Sequence, residues 1–258
     1  MSSSTLKLKI RELDPEMINP STSNYTKNGQ GGSKIVIIGK PGTGKTTLIT
    51  SLLYEKSHIF PSGMIVSGTE DSNHHYGQLF PPIFVFNKYS KPQVEDFVKR
   101  QKIAKKHLEN PWSVLLLDDC TDDPKIFNDP LFQGLYKNGR HYAMLFILSL
   151  QYCKDIKPVI RTNIDGTFIL RESNLKNRRA LWENYAGIIP DFKEFEKLMN
   201  QFTGDYTALY IKNDTTTNDW RECVFWFKAP LIPPEYKFKF GCKEYKGYAS
   251  KISNKSKN

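Results

Sequence analysis

Short apolar runs recur along the chain and predict β-strands that are buried on both faces. They comprise residues 34–39, 64–67, 83–86, 114–117 and 143–149. A strand that is apolar on both faces is typical of a parallel sheet with helices packed on each side.

Amphipathic segments between these runs predict helices over about residues 46–56 and 92–107. In the second segment Pro92 suits the first helical turn, and Val94 and Phe97 fall on one side. This alternation of strands and helices predicts an α/β protein with a mostly parallel sheet flanked by helices.

The C-terminal third has a different pattern. Asp191 and Glu194 have the spacing of a capping box, which predicts a helix that ends near residue 200. Strand-like runs at 206–212 and 223–228 are separated by the turn-forming stretch NDTTTNDW. We expect these two runs to form a C-terminal β-hairpin extension that closes the edge of the sheet.

The chain divides into three parts by pattern. Alternating apolar residues over 6–10 and a polar run over 19–33 predict an N-terminal strand and linker in residues 1–33. Residues 34–235 carry the strand and helix pattern and form the main domain. Residues 236–258 form a basic C-terminal tail.

Composition narrows the class of protein. The chain has 258 residues, of which 39% are hydrophobic, and its longest purely apolar run, residues 143–148, is far too short to span a membrane. The opening stretch MSSSTLKLKIREL lacks the apolar core of a signal peptide. The four cysteines lie far apart, without a C-x-x-C pair, so neither a zinc site nor a disulfide framework is expected. We therefore expect a soluble intracellular protein without a transmembrane segment.

The formal net charge is +10, and seven lysines with one glutamate lie in the tail, residues 236–258. Aromatic residues alternate with these lysines, and such a tail could contact phosphates and stack on bases. A solvated, solubilising tail is an equal alternative. The aromatic residues are Tyr236, Phe238, Phe240, Tyr245 and Tyr248.

The strongest signal is the segment GKPGTGKT, which fits the phosphate-binding loop pattern G-x-x-x-x-G-K-[ST] between a predicted strand and a predicted helix. Glycines allow backbone N–H groups to approach phosphate oxygens, and the following helix directs its positive end at them. Lys45 would neutralise the β- and γ-phosphates of ATP, and the Thr46 hydroxyl would bind Mg²⁺. The expected nucleotide-binding residues are Gly39, Lys40, Pro41, Gly42, Thr43, Gly44, Lys45, Thr46 and Thr47.

A second part of the site is predicted where SVLLLDD ends in two carboxylates, Asp118 and Asp119. Parallel strands end at the same edge of a sheet, which is also where the phosphate-binding loop lies. Asp118 would hold Mg²⁺ through water, and Asp119 could accept a proton from the attacking water. Gln151, at the end of the next strand, could sense the γ-phosphate and orient that water.

Two arginines are candidates for a residue that acts on a neighbouring subunit's nucleotide. Arg140 precedes a predicted strand, so it lies at the edge opposite its own phosphate-binding loop. In a ring it could act in trans as an arginine finger. The alternative is an ordinary surface arginine. Arg161 is the second candidate, and its alternative is a loop arginine bonded to backbone carbonyls.

These motifs together resemble those of the FtsK/HerA superfamily of DNA-pumping ATPases, and most closely the poxvirus-type genome-packaging ATPases of large DNA viruses and virophages. The resemblance rests on GKPGTGKTT, LLLDDC, the GRHY stretch before a strand, SLQ at that strand's end and IRTNID. It spans about residues 34–165, and its fold is a P-loop NTPase of the RecA/ASCE type.

The resemblance implies a homo-oligomeric ring of about five or six subunits that hydrolyses ATP, with Mg²⁺, to move double-stranded DNA into a preformed capsid. It assigns Asp119 as the base, Gln151 as the sensor and Arg140 as the finger. A capsid or portal component is an implied partner, and the virion and the host cytoplasm, at the viral factory, are the implied locations. For a non-viral protein the expected location is the cytoplasm alone.

One departure concerns Asp119, since most of the superfamily has glutamate there. The shorter side chain requires a shifted backbone or a second water.

A nucleotide or small-molecule kinase is the alternative function. Arg178 and Arg179 could belong to an arginine-bearing lid helix that closes over a phosphate acceptor. The Asp118–Asp119 pair, which suits the activation of water, argues against this alternative.

Overall fold

The computed structural model describes residues 8–23, 25, 31–120, 123–153, 156–233 and 238–255. Within these residues, nine strands form one sheet. They are β1 (Arg11–Glu12), β2 (Lys34–Ile38), β3 (Ser62–Ser67), β4 (Val85–Phe86), β5 (Ser113–Asp118), β6 (Met144–Leu150), β7 (Gly166–Ile169), β8 (Thr207–Lys212) and β9 (Val224–Lys228).

The described residues also form α-helices of four to seventeen residues, together with short 3₁₀ turns. The α-helices are α1 (Lys45–Glu55), α2 (Glu70–Asn73), α3 (His75–Leu79), α4 (Lys91–His107), α5 (Pro130–Asn138), α6 (Pro158–Arg161), α7 (Leu175–Tyr185), α8 (Phe192–Phe202), α9 (Trp220–Cys223) and α10 (Lys243–Lys255).

The strand order is β1-β9-β8-β7-β2-β6-β5-β3-β4. All pairs from β7 to β4 are parallel, whereas β7–β8 and β8–β9 are antiparallel. The prediction of a mostly parallel α/β sheet is thus confirmed, and β8 and β9 form the predicted hairpin. The hairpin does not end the sheet, because β1 pairs in parallel with β9 and lies outside it.

The local predictions differ from the structure at three points. The N-terminal strand among the described residues is Arg11–Glu12, and residues 8–10 of the strand predicted at 6–10 belong to no strand. The backbone N–H and carbonyl of Leu8 are both hydrogen-bonded to the side chain of Gln201, so Leu8 cannot pair with a neighbouring strand. Leu6 lies outside the described residues. Pro82–Phe84 forms a 3₁₀ turn, which shortens the strand predicted at 83–86.

The third is an omission, because β7 was not predicted at all. It is a run of only four residues that begins with glycine, too short to stand out by its pattern. It lies between β2 and β8, so it joins the parallel part of the sheet to the hairpin.

The two faces of the sheet carry separate apolar layers, because side chains alternate along each strand. On β5, Val114 and Leu116 pack with α1 and α3 on one face, whereas Leu115 and Leu117 pack with α4, α5, α7 and α8 on the other. Asp118 continues the alternation of Val114 and Leu116, so its carboxylate lies on the α1 face at the end of the strand.

The C-terminal region contacts the main domain through two of its aromatic residues, Phe240 and Tyr245, and for these two rings both interpretations are corrected. Phe240 is completely buried and stacks on Phe80 with ring centroids 4.3 Å apart. Tyr245 of α10 is buried as well, and its hydroxyl donates to the Gly63 carbonyl at 2.7 Å. These two rings are neither solvated nor able to stack on bases. Tyr236 lies outside the described residues.

We predict that Phe240→Ala lowers the free energy of unfolding by about 3–5 kcal/mol, because it empties a buried site between aromatic rings. Tyr248→Ala is the control, since Tyr248 lies on the same segment and is 57% exposed, and it should change stability by about 0.5 kcal/mol or less. Chemical denaturation measures both. Equal losses in the two variants would contradict the packing described here.

Candidate functional site

The loop between β2 and α1 has the backbone of a phosphate-binding loop. Gly42 and Gly44 have φ angles of +76° and +100°, a region that residues with a side chain adopt only under strain. Gly39 is required for space, because a Cβ there would lie 2.6 Å from Thr43 Oγ1 and 2.9 Å from the Leu170 side chain. The glycines therefore determine the path of this loop.

Gly44 is the N-cap residue of α1, and no side chain caps this helix end. The first N–H groups of an eleven-residue helix thus face the loop without a capping acceptor, an arrangement that favours an anion. Thr46 and Thr47 follow in the first turn and are half-buried.

Lys45 lies between the loop and the strand-end carboxylates. Its side chain is only 6% exposed, and Nζ donates to the Gly39 carbonyl at 2.8 Å. The Asp119 Oδ2 atom is 3.5 Å from the same nitrogen. A buried ammonium requires partners, and here they are a carbonyl of the loop and the carboxylate that follows β5.

Asp118 ends β5 and is 3% exposed. It lies in register with Ser67 of β3 and Ser149 of β6, so all three side chains belong to the α1 face at the strand ends. Asp118 Oδ2 accepts a hydrogen bond of 2.7 Å from the Tyr76 hydroxyl, whereas Oδ1 is buried without a hydrogen-bonding partner among the described residues.

Asp119 has the positive φ of 44°, which turns the chain at the end of β5. This turn passes so close to Gly68 that a Cβ there would lie 2.1 Å from the Asp119 carbonyl oxygen. Burial, and then the charge of Asp118, raise the pKa of Asp119 above its usual value, while Lys45 and Gln151 act in the opposite direction. Asp119 is thus held in a turn beside Lys45, and Gln151 forms a side-chain hydrogen bond to its carboxylate.

Sequence reasoning missed a second anchor of the loop. Lys40 Nζ is 2.7 Å from Glu172 Oε1, just beyond β7, and Glu172 also accepts from the Asn174 amide and from Asn177 Nδ2. Burial alone would raise the pKa of Glu172, but these hydrogen bonds together hold it below its usual range. No motif marks Glu172, because its contact depends on the unpredicted strand β7.

Tyr206 was also missed as a neighbour of the loop, because it was predicted only as the start of a strand. Its φ is +59°, and a Cβ placed on Gly44 would lie 3.0 Å from its ring. The strained residue before β8 thus places an aromatic ring against the start of α1.

The two arginine candidates lie apart from this site. Arg140 is in the turn before β6, at the opposite edge of the sheet as expected, where Nη2 is 2.5 Å from Asp165 Oδ1. Asp165 also binds Lys34, and its hydrogen bond and charge raise the pKa of Arg140 above its usual value. Arg161 Nη1 donates to the Ile156 carbonyl at 3.1 Å, as the loop-arginine alternative expects.

The arginines of the kinase alternative are held by packing. Arg178 Nε donates to the Glu172 carbonyl at 2.6 Å, and its side chain is largely buried. The Arg179 guanidinium lies 4.4 Å from the centre of the Phe192 ring. Helix α7 is thereby packed onto α8 and the sheet rather than built as a lid.

Residues 24–223 match the family described as Poxvirus A32 protein. The chain belongs to this family. The match covers the phosphate-binding loop, both carboxylates and the hairpin up to the start of β9. The protein is accordingly an ATP-binding P-loop ATPase of this family, and its role lies in viral genome packaging.

Relatives with similar sequences come from several viruses. The uncharacterized protein 088R of Invertebrate iridescent virus 3 is 52% identical over 95% of this chain and 94% of its own length. The uncharacterized protein 015R of Frog virus 3 is 34% identical over 94% of this chain and 75% of its own length.

Solved structures share the fold at low sequence identity. The genome-packaging NTPase B204 of Sulfolobus turreted icosahedral virus 2, in complex with ATPγS, has a TM-score of 0.53 and 16% identity, covering 78% of this chain and 98% of B204. The pCW3 conjugation coupling protein TcpA has a TM-score of 0.56 and 11% identity, covering 95% of this chain and 75% of TcpA. Among the described residues, no helix is long and apolar enough to cross a membrane.

The side chains beside Lys45 fit a magnesium ion. Mg²⁺ prefers oxygen ligands and usually keeps several waters. The buried Asp118 Oδ1 has no hydrogen-bonding partner in the described part of the chain, and the same is true of Ser149 Oγ in the neighbouring register position. Thr46 and Asp118 are the residues expected to hold Mg²⁺, and Asp118 Oδ1, which has no partner among the described residues, fits that expectation.

We predict that Lys45→Ala abolishes ATP hydrolysis and weakens ATP binding, because it removes the charge that faces the phosphates. Lys56→Ala is the matched control, since Lys56 is an equally buried lysine just after α1 that donates to the Pro20 carbonyl. It should lower stability but leave ATP affinity unchanged. Isothermal titration with ATPγS measures the affinities, and full binding by Lys45→Ala would refute the loop assignment.

Asp119→Asn should separate binding from hydrolysis. Asp118, the expected metal ligand, remains in this variant, so Mg²⁺–ATP affinity should stay close to wild type. Phosphate release should fall by about 100-fold or more, because the proton acceptor is lost. An equal loss of binding and hydrolysis would show that the roles of Asp118 and Asp119 are assigned wrongly.

Proposed function

We propose that this protein is the motor ATPase that moves double-stranded viral DNA into a preformed capsid and that hydrolysis of Mg²⁺–ATP drives this movement. The observation that carries the proposal is the arrangement of the Lys45 ammonium beside the buried Asp118 and the half-buried Asp119 in a chain of the A32 family. A pair of carboxylates at this edge suits the activation of a water molecule, which a motor ATPase requires.

Each side chain has a definite task in hydrolysis. Lys45 leaves the Gly39 carbonyl for the β- and γ-phosphates, and the loop N–H groups bind the same oxygens. Bound Mg²⁺, held by Thr46 and Asp118, would neutralise charge on the phosphates. Asp119, whose pKa is raised by burial, accepts the proton of the attacking water, and Gln151 orients that water.

A homo-oligomeric ring of about five or six subunits completes this scheme. Arg140 lies at the far end of β6 from its own phosphate-binding loop, about 20 Å away for a strand of this length. We assign it as a finger that contacts the nucleotide of the adjacent subunit, which requires it to exchange Asp165 for a phosphate. Arg161 is the second candidate, and it likewise has a partner in its own subunit, the Ile156 carbonyl.

Double-stranded DNA is the proposed substrate, a capsid or portal component is the proposed partner, and the virion and the viral factory in the host cytoplasm are the proposed locations. The net charge of +10 favours binding to DNA. The exposed lysines of the C-terminal region contribute to this charge.

Steady-state phosphate release with and without long double-stranded DNA tests the motor function. We expect DNA to stimulate ATP hydrolysis several-fold, and the stimulation to decrease with salt, because phosphate contacts release counterions. Asp119→Asn is the control for contaminating ATPases. Hydrolysis that is indifferent to DNA, by protein shown to be oligomeric, would contradict the proposal.

The trans role of Arg140 has its own test. Arg140→Ala should bind ATP normally yet hydrolyse it about 1,000-fold more slowly, as for other arginine fingers. Mixing Arg140→Ala with Lys45→Ala should restore activity, because a mixed ring contains interfaces with an intact loop and an intact finger.

Thermal unfolding of Arg140→Ala separates this role from a structural one. If the pair with Asp165 only stabilises the fold, the variant unfolds at lower temperature and the mixture stays inactive in rings that exchange subunits. That result would overturn the trans assignment.

A further inference from the structure

A buried tyrosine contacts the carboxylate that the proposed function assigns to Mg²⁺. Tyr76 of α3 is 1% exposed, and its hydroxyl donates to Asp118 Oδ2 at 2.7 Å. The other carboxylate oxygen, Oδ1, is buried without a hydrogen-bonding partner in the described residues. One oxygen of Asp118 is thus occupied by the phenol, and the other remains to be satisfied by a ligand.

Tyr76 is itself held in place by a second buried carboxylate. Glu70 is 6% exposed, and its two oxygens accept from the backbone N–H groups of Tyr76 at 3.0 Å and Gly77 at 2.8 Å. Gly77 allows this approach, since a Cβ there would lie 3.1 Å from Glu70 Oε1. The acidic side chain fixes the backbone of α3 and therefore the position of the phenol.

Helix α3 is also attached to the phosphate-binding side of the fold. His75 Nε2 lies 2.8 Å from Thr50 Oγ1, in the second turn of α1, and the His75 and Tyr76 rings meet edge to face with centroids 4.9 Å apart. On its other side, the Leu79 carbonyl accepts from the Phe240 N–H at 2.8 Å. These contacts place Tyr76 between α1 and the C-terminal segment.

A carboxylate that binds a metal through one oxygen is held in the right orientation when a hydrogen-bond donor binds its other oxygen and prevents the group from rotating. Partners of this kind orient the ligand, and their loss weakens metal binding without removing a ligand. The Tyr76 hydroxyl has the geometry for this task, because it donates to Oδ2 from within the apolar layer and leaves Oδ1 without a hydrogen-bonding partner among the described residues.

We propose that Tyr76 is a positioning residue for the Mg²⁺ site, held by Glu70, and that its hydroxyl orients Asp118 so that Oδ1 receives Mg²⁺–ATP. This inference rests on the proposed function, because it takes Asp118 as the metal-binding carboxylate.

The test is the Mg²⁺ dependence of ATPγS binding by Tyr76→Phe, which keeps the ring and removes the hydroxyl. We expect the Mg²⁺ concentration for half-maximal binding to rise by about 10- to 100-fold, in the range typical of such partners. Binding of ATPγS in EDTA should be unchanged, because the loop and Lys45 are intact. Saturating Mg²⁺ should restore most of the ATPγS affinity.

Tyr136→Phe is the matched control. Tyr136 is likewise 1% exposed, but its hydroxyl has no hydrogen-bonding partner in the described part of the chain, and it packs on the opposite face of the sheet. This variant should bind Mg²⁺ and ATPγS as the wild type does. An equal shift in both tyrosine variants would show a general effect of core substitution and overturn the proposal.

Two further variants, Asp118→Asn and Glu70→Gln, distinguish a failure of the Tyr76 inference from a failure of the metal assignment. Asp118→Asn should lose most of the Mg²⁺ dependence. If it does so while Tyr76→Phe matches the wild type, the Tyr76 inference is wrong and the metal assignment stands. If Asp118→Asn also matches the wild type, the metal assignment in the proposed function is wrong. Should Tyr76→Phe fail to fold, Glu70→Gln replaces it, with a smaller shift in the same direction supporting the inference and none refuting it.

Discussion

The site depends on the buried ammonium of Lys45 and on its two contacts. The ammonium joins the Gly39 carbonyl, in the loop after β2, to the Asp119 carboxylate after β5. A charge with this little exposure is stable only with partners, so the loop and the carboxylate must lie close to each other in the folded chain. The contact also keeps the lysine beside the place where the phosphates of ATP are expected.

The order of the strands makes this contact possible. β6 lies between β2 and β5, and all three are parallel, so the loop, Gln151 and the two aspartates meet at one edge. Arg140 precedes β6 and lies at the other edge, where Asp165 binds both it and Lys34. The same geometry that assembles the nucleotide site therefore excludes Arg140 from it within one subunit.

Those parts of the fold and site that depend on local pattern could be predicted from the sequence. The apolar runs of β2, β5 and β6 and the loop between β2 and α1 are of this kind, and so are the aspartates at the end of β5. Contacts between distant elements could not, because no local pattern marks them. Tyr76, Glu172 and Tyr206 each depend on how α3, β7 or the hairpin packs against the loop. The burial of Phe240 could not be predicted either, because a basic segment rich in aromatic residues is equally compatible with a solvated tail.

A structure of the protein with a non-hydrolysable ATP analogue and Mg²⁺ would test the assignment of the nucleotide site. We expect Lys45 Nζ to leave the Gly39 carbonyl and contact the β- and γ-phosphates. We also expect the ion to lie between Thr46 Oγ1 and Asp118 Oδ1, directly or through water. A nucleotide bound elsewhere, or an ion at that nucleotide without contact to Asp118, would show that the site is assigned wrongly.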